Sequence, residues 1–246
     1  MNPVIDTLIN HRSDRSYLDK AIPDAILDNI ILSAYRAPTS IHSQQVSVVV
    51  TRDKVTKAKI AELAGGQPWI AQAPVFITFV LDMHKSYEAM KLINEQQIAH
   101  ESIESIVSGS TDVGIALASA MAAARAQGLG VVPIGGIRKN PLAFIELFGL
   151  PPLTFPLVGL ALGYVDRPAE LKPRLPLSTF RHDEKYQTEG MVEQIARFSD
   201  ELEQHWRTID RNGGENWSQT VTNYYKHIYF PEVLPALLKQ GFGKDK

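Results

Sequence analysis

Hydrophobic and polar residues follow two patterns along the chain. In one, apolar residues recur every three or four positions, as on one face of a helix; in the other, β-branched and aromatic residues form short runs typical of buried strands. The first pattern predicts helices over residues 3–10, 23–35, 55–63, 96–127 and 142–148. The second predicts strands over residues 46–51, 75–81, 131–134 and 156–162. This order of elements indicates a mixed sheet covered by helices.

The C-terminal region has a different pattern. Residues 184–241 resemble two amphipathic helices joined by Arg211-Asn212-Gly213-Gly214. No Ser/Gly-rich linker, low-complexity tract or internal repeat interrupts the sequence. We therefore expect a single domain over residues 1–246, with residues 184–246 as its helical C-terminal extension.

The predicted helix over residues 96–127 is rich in small side chains. Ser108, Gly114 and Ala118 are examples of positions where other helices can approach its backbone closely. This composition suits a core helix packed on several sides, and it also suits a helix at the centre of a dimer interface. Its charge-free stretch of 12 residues, Val113 to Ala124, is shorter than the roughly 20 residues of a membrane span. We expect a helix buried inside protein.

Composition and charge narrow the possible functions. The chain has 246 residues, of which 44% are hydrophobic and 21% charged, as in a soluble globular protein with a substantial core. The net charge of −2 offers no overall attraction for nucleic acid or an anionic membrane. The chain has no cysteine, so redox chemistry would require a bound cofactor. The N-terminal residues lack the features of a secretory signal, and we expect a cytoplasmic protein.

Several familiar catalytic and nucleotide-binding motifs are absent. Gly128-Leu129-Gly130 begins like a dinucleotide-binding fingerprint, but Pro133 replaces its third glycine. Residues 130–137 have the glycine spacing of a Walker A loop without its Lys-Ser/Thr pair. The histidines have no H-E-x-x-H spacing, and no G-x-S-x-G motif occurs. Metal-hydrolase and serine-hydrolase functions are therefore excluded, and we expect no metal site.

Polar and glycine-rich segments remain as candidates for a ligand site. Residues 11–17 contain cations whose guanidinium groups suit a phosphate or a carbonyl-rich ring edge. The largely polar residues 38–45 suit the hydroxyl groups or ring edge of a cofactor, and Gly65-Gly66-Gln67 permits close backbone approach. Residues 133–138 offer glycine N–H groups after a strand, and residues 172–176 carry two cations between prolines. Each segment alone also fits a solvated helix end or a plain loop.

Together these segments resemble the FMN-dependent nitroreductase superfamily, in particular its oxygen-insensitive NADPH nitroreductases and NADPH-linked FMN reductases. The resemblance covers nearly the whole chain, and six ordered matches are far more specific than any one of them. The matches are His-Arg-Ser-x-Arg at 11–15, Ala-Pro-Thr-Ser at 37–40 followed by Gln44-Gln45, Gly-Gly-Gln at 65–67, Ile-Gly-Gly at 134–136, Lys-Pro-Arg-Leu-Pro at 172–176, and a tail with Asn216-Trp217-Ser218 and Lys239-Gln240-Gly241-Phe242.

The resemblance implies an α+β fold and an intertwined homodimer, in which the C-terminal extension embraces the partner. It implies two FMN sites at the subunit interface, each built from both chains. The implied FMN contacts are His11, Arg12, Ser13, Arg15, Thr39, Ser40, His42, Gln67, Pro133, Ile134, Gly135, Gly136, Lys172 and Arg174. Thr39, Ser40 and His42 would reach the FMN of the other subunit, and Gln67 would bond the ring edge.

The resemblance also implies separate roles for the other groups. His11 and Arg174 are expected at the FMN phosphate. Arg15 is expected at the N1/O2 edge of the ring, where a fixed cation stabilises the negative charge of reduced flavin. A backbone N–H of Gly135 or Gly136 is expected to face N5, the atom that accepts hydride.

The implied activity is a ping-pong reaction. NADPH would donate hydride to flavin N5 and leave as NADP, and a nitroaromatic, a quinone or free flavin would then be reduced at the same face. Because flavin carries the electrons, we expect no catalytic acid or base. Arg207 and Arg211 precede Trp217 and are the candidates to bind the NADPH 2′-phosphate, but Gly213-Gly214-Glu215 occupy much of that stretch. Use of both NADPH and NADH stays open.

Two further functions compete with this one. The protein could be a flavin reductase that supplies free reduced FMN to a partner, or an FMN-binding protein without turnover. Asp14 departs from the family pattern, in which an apolar residue is frequent. We expect Asp14 to pair with Arg12 or Arg15.

Overall fold

The sheet forms from the four predicted strands. They are β1 (Val46–Thr51), β2 (Val75–Asp82), β3 (Gly130–Ile134) and β4 (Thr154–Gly163). Their order is β1-β2-β4-β3, and neighbouring strands are antiparallel. A parallel bridge joins Ser13 to Val131, so both directions of pairing occur. Every residue of β2 is buried, which explains why its sequence is apolar apart from Thr78 and Asp82.

The computed structural model describes residues 2–211 and 213–243. The helices in these residues are α1 (Pro3–Ile9), α2 (Asp24–Tyr35), α3 (Lys54–Leu63), α4 (Pro68–Gln72), α5 (His84–Lys91), α6 (Ile103–Ala126), α7 (Pro141–Phe148), α8 (Met191–Thr208), α9 (Trp217–Tyr225) and α10 (Val233–Lys239). The predicted α+β fold, a sheet flanked by helices, is confirmed. Helices α4 and α5 were not predicted, because α4 has only five residues and α5 buries none of its side chains.

The helix predicted from residue 96 begins later, at Ile103. Ser102 has extended backbone dihedrals, and its hydroxyl accepts a hydrogen bond from the N–H of Glu104 (3.2 Å), which caps the helix at this point. The prediction of two tail helices is also wrong. The predicted joint at residues 211–214 does separate α8 from α9, but the segment around Pro231 then separates α9 from a third helix, α10.

The described residues form two compact units. The first combines the chain up to Ala169 with the segment from Phe230 onwards, and the second is Glu170–Tyr229. Helix α10 therefore belongs to the first unit, whereas α8 and α9 form the second. The second unit has its own apolar core, centred on Phe198, Leu202 and Trp206. The single domain with an extension over residues 184–246 stays a prediction.

Helix α6 is buried along one face only. The buried face is made of Ser105, Gly109, Asp112, Val113, Ala116, Ala120 and Ala124. A Cβ at Gly109 would lie 2.0 Å from a methyl carbon of Leu81, so a larger residue here would force the Leu81 side chain to move. The exposed face is made of Ile103, Val107, Thr111, Gly114, Ile115 and Ala118. In the single chain this second face is open, so burial of α6 on several sides stays a prediction.

By length and composition alone, α6 is also apolar enough to cross a membrane. Its buried face packs against α2 and the sheet. This packing is that of a core helix with one open side.

Candidate functional site

The segment of residues 11–17 is anchored beside β3 and the end of β4. The N–H of Asp14 donates to the carbonyl of Val131 (3.1 Å), and Tyr17 forms a bridge with Val165. The buried Tyr17 hydroxyl donates to the carbonyls of Asp14 (2.6 Å) and Ala161 (3.2 Å). Burial, and then the charge of Asp14, raise the pKa of Tyr17 above its usual value, so the hydroxyl stays a donor. These bonds fix the segment at the edge of the sheet.

Asp14 faces the interior of the first unit. It is 3% exposed, accepts a hydrogen bond from the N–H of Ala169 (3.1 Å), and lies 3.6 Å from the guanidinium of Arg125. A Cβ at Gly130 would lie 2.8 Å from its carboxylate, so the glycine makes room for it. The expectation that Asp14 pairs with Arg12 or Arg15 is wrong.

The cations of the segment are therefore not neutralised by its own acid. Arg12 donates to the carbonyl of Ala169 (3.4 Å), and Arg15 donates to the carbonyl of Ser13 (3.2 Å). Within the part of the chain that the structure describes, neither guanidinium has a carboxylate within 4.0 Å. His11 lies at the end of α1, where its N–H donates to Leu8 (3.3 Å). The segment presents positive charge.

The glycine-rich segment of residues 65–69 lies beside this one. The guanidinium carbon of Arg15 lies 5.5 Å from the centre of the Trp69 ring. Gln67 donates from its side chain to the carbonyl of Ala64 (2.9 Å). A Cβ at Gly136 would lie 2.5 Å from both the Ala64 oxygen and the Gln67 amide nitrogen, so this position requires glycine. The structure thus brings three sequence-predicted segments together, those around Arg15, Gln67 and Gly136.

The end of β3 supplies backbone donors. Pro133 and Ile134 pair with Leu160 and Gly159 of β4, and a 3₁₀ turn begins directly afterwards at Gly135. The first N–H groups of such a turn have no partner inside it. A ligand beside this turn would find donors that need no side chain.

The loop between α2 and β1 has an unusual backbone. Ile41, His42 and Gln44 have φ angles of 48°, 59° and 52°, a region that non-glycine residues rarely adopt. The hydroxyl of Thr39 accepts a hydrogen bond from the N–H of Gln44 (3.0 Å), which closes the loop. Such strained residues cost on the order of 1–3 kcal/mol each and often mark functional sites.

This loop is fastened to α6. Ser40 donates from its backbone N–H to both oxygens of the Asp112 carboxylate (3.2 and 3.1 Å), and Gln45 donates to one of them from its side chain (2.9 Å). A cavity of about 550 Å³ lies beside the loop, lined by Thr39, His42 and other residues. The structure of one chain does not join Thr39, Ser40 and His42 to the Arg15 group, since their described hydrogen bonds lie within the loop and with α6.

The second unit contains a cavity of about 780 Å³ with a mixed cationic and aromatic lining. Lys172 and Arg174 lie along one side of it, and Trp206 and Trp217 along another. The Lys172 ammonium lies 5.3 Å from the centre of the Trp206 ring, and the Arg211 guanidinium carbon lies 4.5 Å from it. The Trp206 indole N–H donates to the carbonyl of Glu215 (2.9 Å).

Arg207 and Arg211 are held differently. Arg211 lies against Trp206, whereas Arg207 forms an ion pair of 2.6 Å with Glu203, one turn earlier on α8. In the described ranges there is no group of three or more His, Cys, Asp or Glu residues that could hold a metal.

Sequence reasoning assigned no role to three residues of these groups: Trp69, which lies at the end of a candidate segment, Asp112 and Trp206. An aromatic residue directly after Gly-Gly-Gln-Pro was a signal for Trp69. A single acid immediately before the charge-free stretch of α6 was a signal for Asp112. Trp206 had no signal beyond its aromatic character on an amphipathic helix.

Comparison with known proteins agrees with this arrangement. The nitroreductase family model matches residues 8–164, and the model of the family's C-terminal domain matches residues 172–245. The chain is 44% identical to FMN reductase (NAD(P)H) of Bacillus subtilis, over 100% of both proteins. It is 32% identical to oxygen-insensitive NADPH nitroreductase of Salmonella typhimurium, over 99% of both. The solved structure of NfrA2 from B. megaterium matches with a TM-score of 0.97 and 43% identity, over 100% of both chains. The chain therefore belongs to the nitroreductase family.

Proposed function

We propose that the protein is an FMN-dependent oxidoreductase that transfers electrons from NAD(P)H to nitroaromatics, quinones or free flavin. One observation carries this proposal: Arg12 and Arg15 lie in the same region as Gln67 and the glycine N–H groups after β3. Among the described residues, no carboxylate lies within 4.0 Å of either guanidinium. The names of the family relatives agree with it.

The donor set fits FMN. FMN presents a phosphate dianion, a ring edge with carbonyl oxygens and the ring nitrogen N5, and each needs a donor of a different kind. Arginine and lysine side chains suit the phosphate and the N1/O2 edge, an amide suits the ring edge, and a backbone N–H suits N5. Because Asp14 points inward to Arg125, it leaves the charge of Arg12 and Arg15 available for the anion.

We assign the roles as follows. FMN, when bound, would supply the two-electron redox chemistry between NAD(P)H and the acceptor. Arg15 holds positive charge at the N1/O2 edge, where reduction adds negative charge. Gln67 would bond the ring edge, and a backbone N–H of Gly135 or Gly136 would face N5. As the family resemblance implies, His11 and Arg174 would bind the phosphate, and Arg12, Ser13 and Lys172 would also contact FMN. Pro133 and Ile134, which precede these glycines on β3, would also contact FMN.

A homodimer completes this site. The exposed face of α6 is built from small and apolar residues such as Gly114, Ile115 and Ala118, and the apolar residues of α1 are exposed as well. Two such surfaces are typical of a subunit interface. Thr39, Ser40 and His42, which are joined to α6 through Asp112, would then serve the FMN of the partner subunit.

Two other cations of the second unit would bind the nucleotide substrate. Arg207 and Arg211 are assigned to the NADPH 2′-phosphate. The ion pair of Arg207 with Glu203 weakens this interaction, which supports use of both NADPH and NADH. The oxidised nucleotide leaves before the acceptor binds, and no side chain acts as catalytic acid or base. Electron supply by NAD(P)H and the absence of cysteine suit a cytoplasmic enzyme.

An anaerobic spectroscopic titration tests the proposal. The purified protein, loaded with FMN, is titrated with NADPH and then with NADH while the visible flavin band is followed. Bleaching of the band by either nucleotide supports the proposal. A protein that cannot be loaded with FMN refutes it, and a yellow protein that neither nucleotide bleaches is an FMN-binding protein without turnover.

A flavin reductase is the second candidate, and the 44% identity to FMN reductase (NAD(P)H) favours it. In that case the physiological product is free reduced FMN, which a partner enzyme consumes. Steady-state rates with added FMN and with nitrofurazone distinguish the two functions. A higher kcat/KM for FMN identifies a flavin reductase.

A further inference from the structure

Asp112 is a buried carboxylate that is bonded to a loop and not to a cation. It is 3% exposed, and it accepts hydrogen bonds from the N–H of Ser40 and the side chain of Gln45. Among the described residues no Lys, Arg or His nitrogen lies within 4.0 Å of its oxygens. A buried charge is unfavourable unless hydrogen bonds compensate it. The hydrogen bonds from the loop therefore compensate the burial of the Asp112 carboxylate, and the same bonds fasten the loop to α6.

The residues between these two attachment points carry the strained backbone. Ile41 and His42 follow Ser40, and Gln44 precedes Gln45; all three have positive φ. Ile41 is β-branched and 95% exposed, so in one chain no burial compensates for its conformation. A strained loop keeps such a conformation only when its surroundings determine it. Asp112 does this by holding both ends of the loop at one carboxylate.

We propose that Asp112 is a positioning residue, which fixes residues 39–45 in the conformation that presents Thr39 and His42 to the FMN of the partner subunit. This inference rests on the proposed function. It adds a connection that the function alone does not require: Asp112 lies next to Thr111 on α6, and Thr111 belongs to the exposed face assigned to the dimer interface. One helix thus holds the loop and faces the subunit that the loop serves.

The first test measures FMN binding without turnover. FMN is removed from the wild type and from Asp112→Ala, and the dissociation constant is measured by quenching of FMN fluorescence. Losing the acceptor for two buried donors frees the loop, and we expect the dissociation constant to rise by about tenfold. Asp112→Asn keeps an oxygen for Ser40, and a rotated Gln45 amide can accept from its nitrogen. We expect this variant to bind within about threefold of the wild type.

A matched control separates positioning from loss of stability. Gln240 is also buried, and its side chain donates to the carbonyls of Thr154 (2.9 Å) and Pro151 (3.0 Å). Gln240→Ala removes a comparable set of buried hydrogen bonds away from the loop. We expect it to lower the melting temperature as Asp112→Ala does and to leave the FMN dissociation constant unchanged. Equal weakening of FMN binding in both variants would show a general loss of stability and overturn the proposal.

A milder variant covers the case in which Asp112→Ala does not fold. Gln45→Leu removes one donor to the carboxylate and keeps the Ser40 bonds, and we expect FMN binding to weaken by about threefold. Unchanged FMN binding in the folded variants at Asp112 and Gln45 overturns the proposal. If the wild-type protein itself does not bind FMN, the proposed function fails and this inference fails with it.

Discussion

The guanidinium of Arg15 lies over the indole ring of Trp69, with its central carbon 5.5 Å from the ring centre. Cation–π contacts of this kind contribute about 0.5–1 kcal/mol at exposed sites. Arg15 is itself exposed, and its described hydrogen bond is to the carbonyl of Ser13. The ring therefore limits the positions that a long, flexible side chain can take. It does so beside Gln67, in the segment that we assign to the flavin.

Replacement of Trp69 tests the value of this contact. In Trp69→Leu the guanidinium loses its ring, and we expect FMN to bind about fivefold more weakly. Trp69→Phe keeps an aromatic face and should lie between this variant and the wild type. FMN titration of the cofactor-free proteins measures the series. Equal affinities for the Leu and Phe variants would mean that the ring does not position Arg15.

Replacement of Arg15 tests its assignment to the N1/O2 edge. Arg15→Ala removes a positive charge where reduction adds a negative one, and we expect the two-electron potential of bound flavin to fall by about 30 mV or more. Equilibration with reference dyes measures the potential. Arg167→Ala is the matched control, because Arg167 is exposed and its described ion pair is with Asp166 (3.6 Å). A potential that is the same in both variants would contradict the assignment.

Glu203 should influence the choice between the two nucleotides. Its ion pair with Arg207, at 2.6 Å, opposes binding of the 2′-phosphate that only NADPH carries. In Glu203→Gln we expect the ratio of kcat/KM for NADPH to that for NADH to rise by about threefold, as is reasonable for an exposed pair. Glu201→Gln, an exposed position on the same helix, is the control. The assignment of Arg207 is wrong if the ratio moves equally in both variants.

The exposed face of α6 should be the subunit interface. Ile115→Arg places a charge in that face, and burial of an unpaired charge at an interface is strongly unfavourable. We expect sedimentation velocity to give a monomer, with weakened FMN binding. Val55→Arg changes an exposed apolar residue of α3 and should leave the dimer intact. A dimeric Ile115→Arg variant that retains FMN would rule out this face.

Sequence patterns predicted the buried elements well and the short ones poorly. The run Val75–Leu81 is apolar except for Thr78 because both faces of β2 are covered, so its limits are visible in the sequence. Helix α5 buries no side chain, and its sequence therefore carries no apolar stripe. The start of α6 depends on one capping hydroxyl, at Ser102, which a search for apolar periodicity does not detect.

In the candidate site, too, some residues were predictable from the sequence and others were not. Motifs predicted Arg15, Gln67 and Gly136 because each is a residue type with a distinct function in recognition, and the structure brings their segments together. The supporting contacts, such as those of Trp69 and Asp112, join residues far apart in sequence, and no single segment shows which residues pair. The partner of Asp14 was mispredicted for this reason: Arg125 is near in space and remote along the chain.

The contact with Asp14 and the contact with Ser40 are both made by residues of α6. Arg125, in the last turn of α6, donates to the carbonyl of Asn10 (3.0 Å) and lies close to Asp14, while Asp112 on the same helix holds Ser40. The two attachment points are about 20 Å apart along a rod with fixed rise per residue. The cationic segment and the strained loop are therefore set at a distance that a helix defines. Because both are attached to α6, a displacement of this helix would move the cationic segment and the strained loop together.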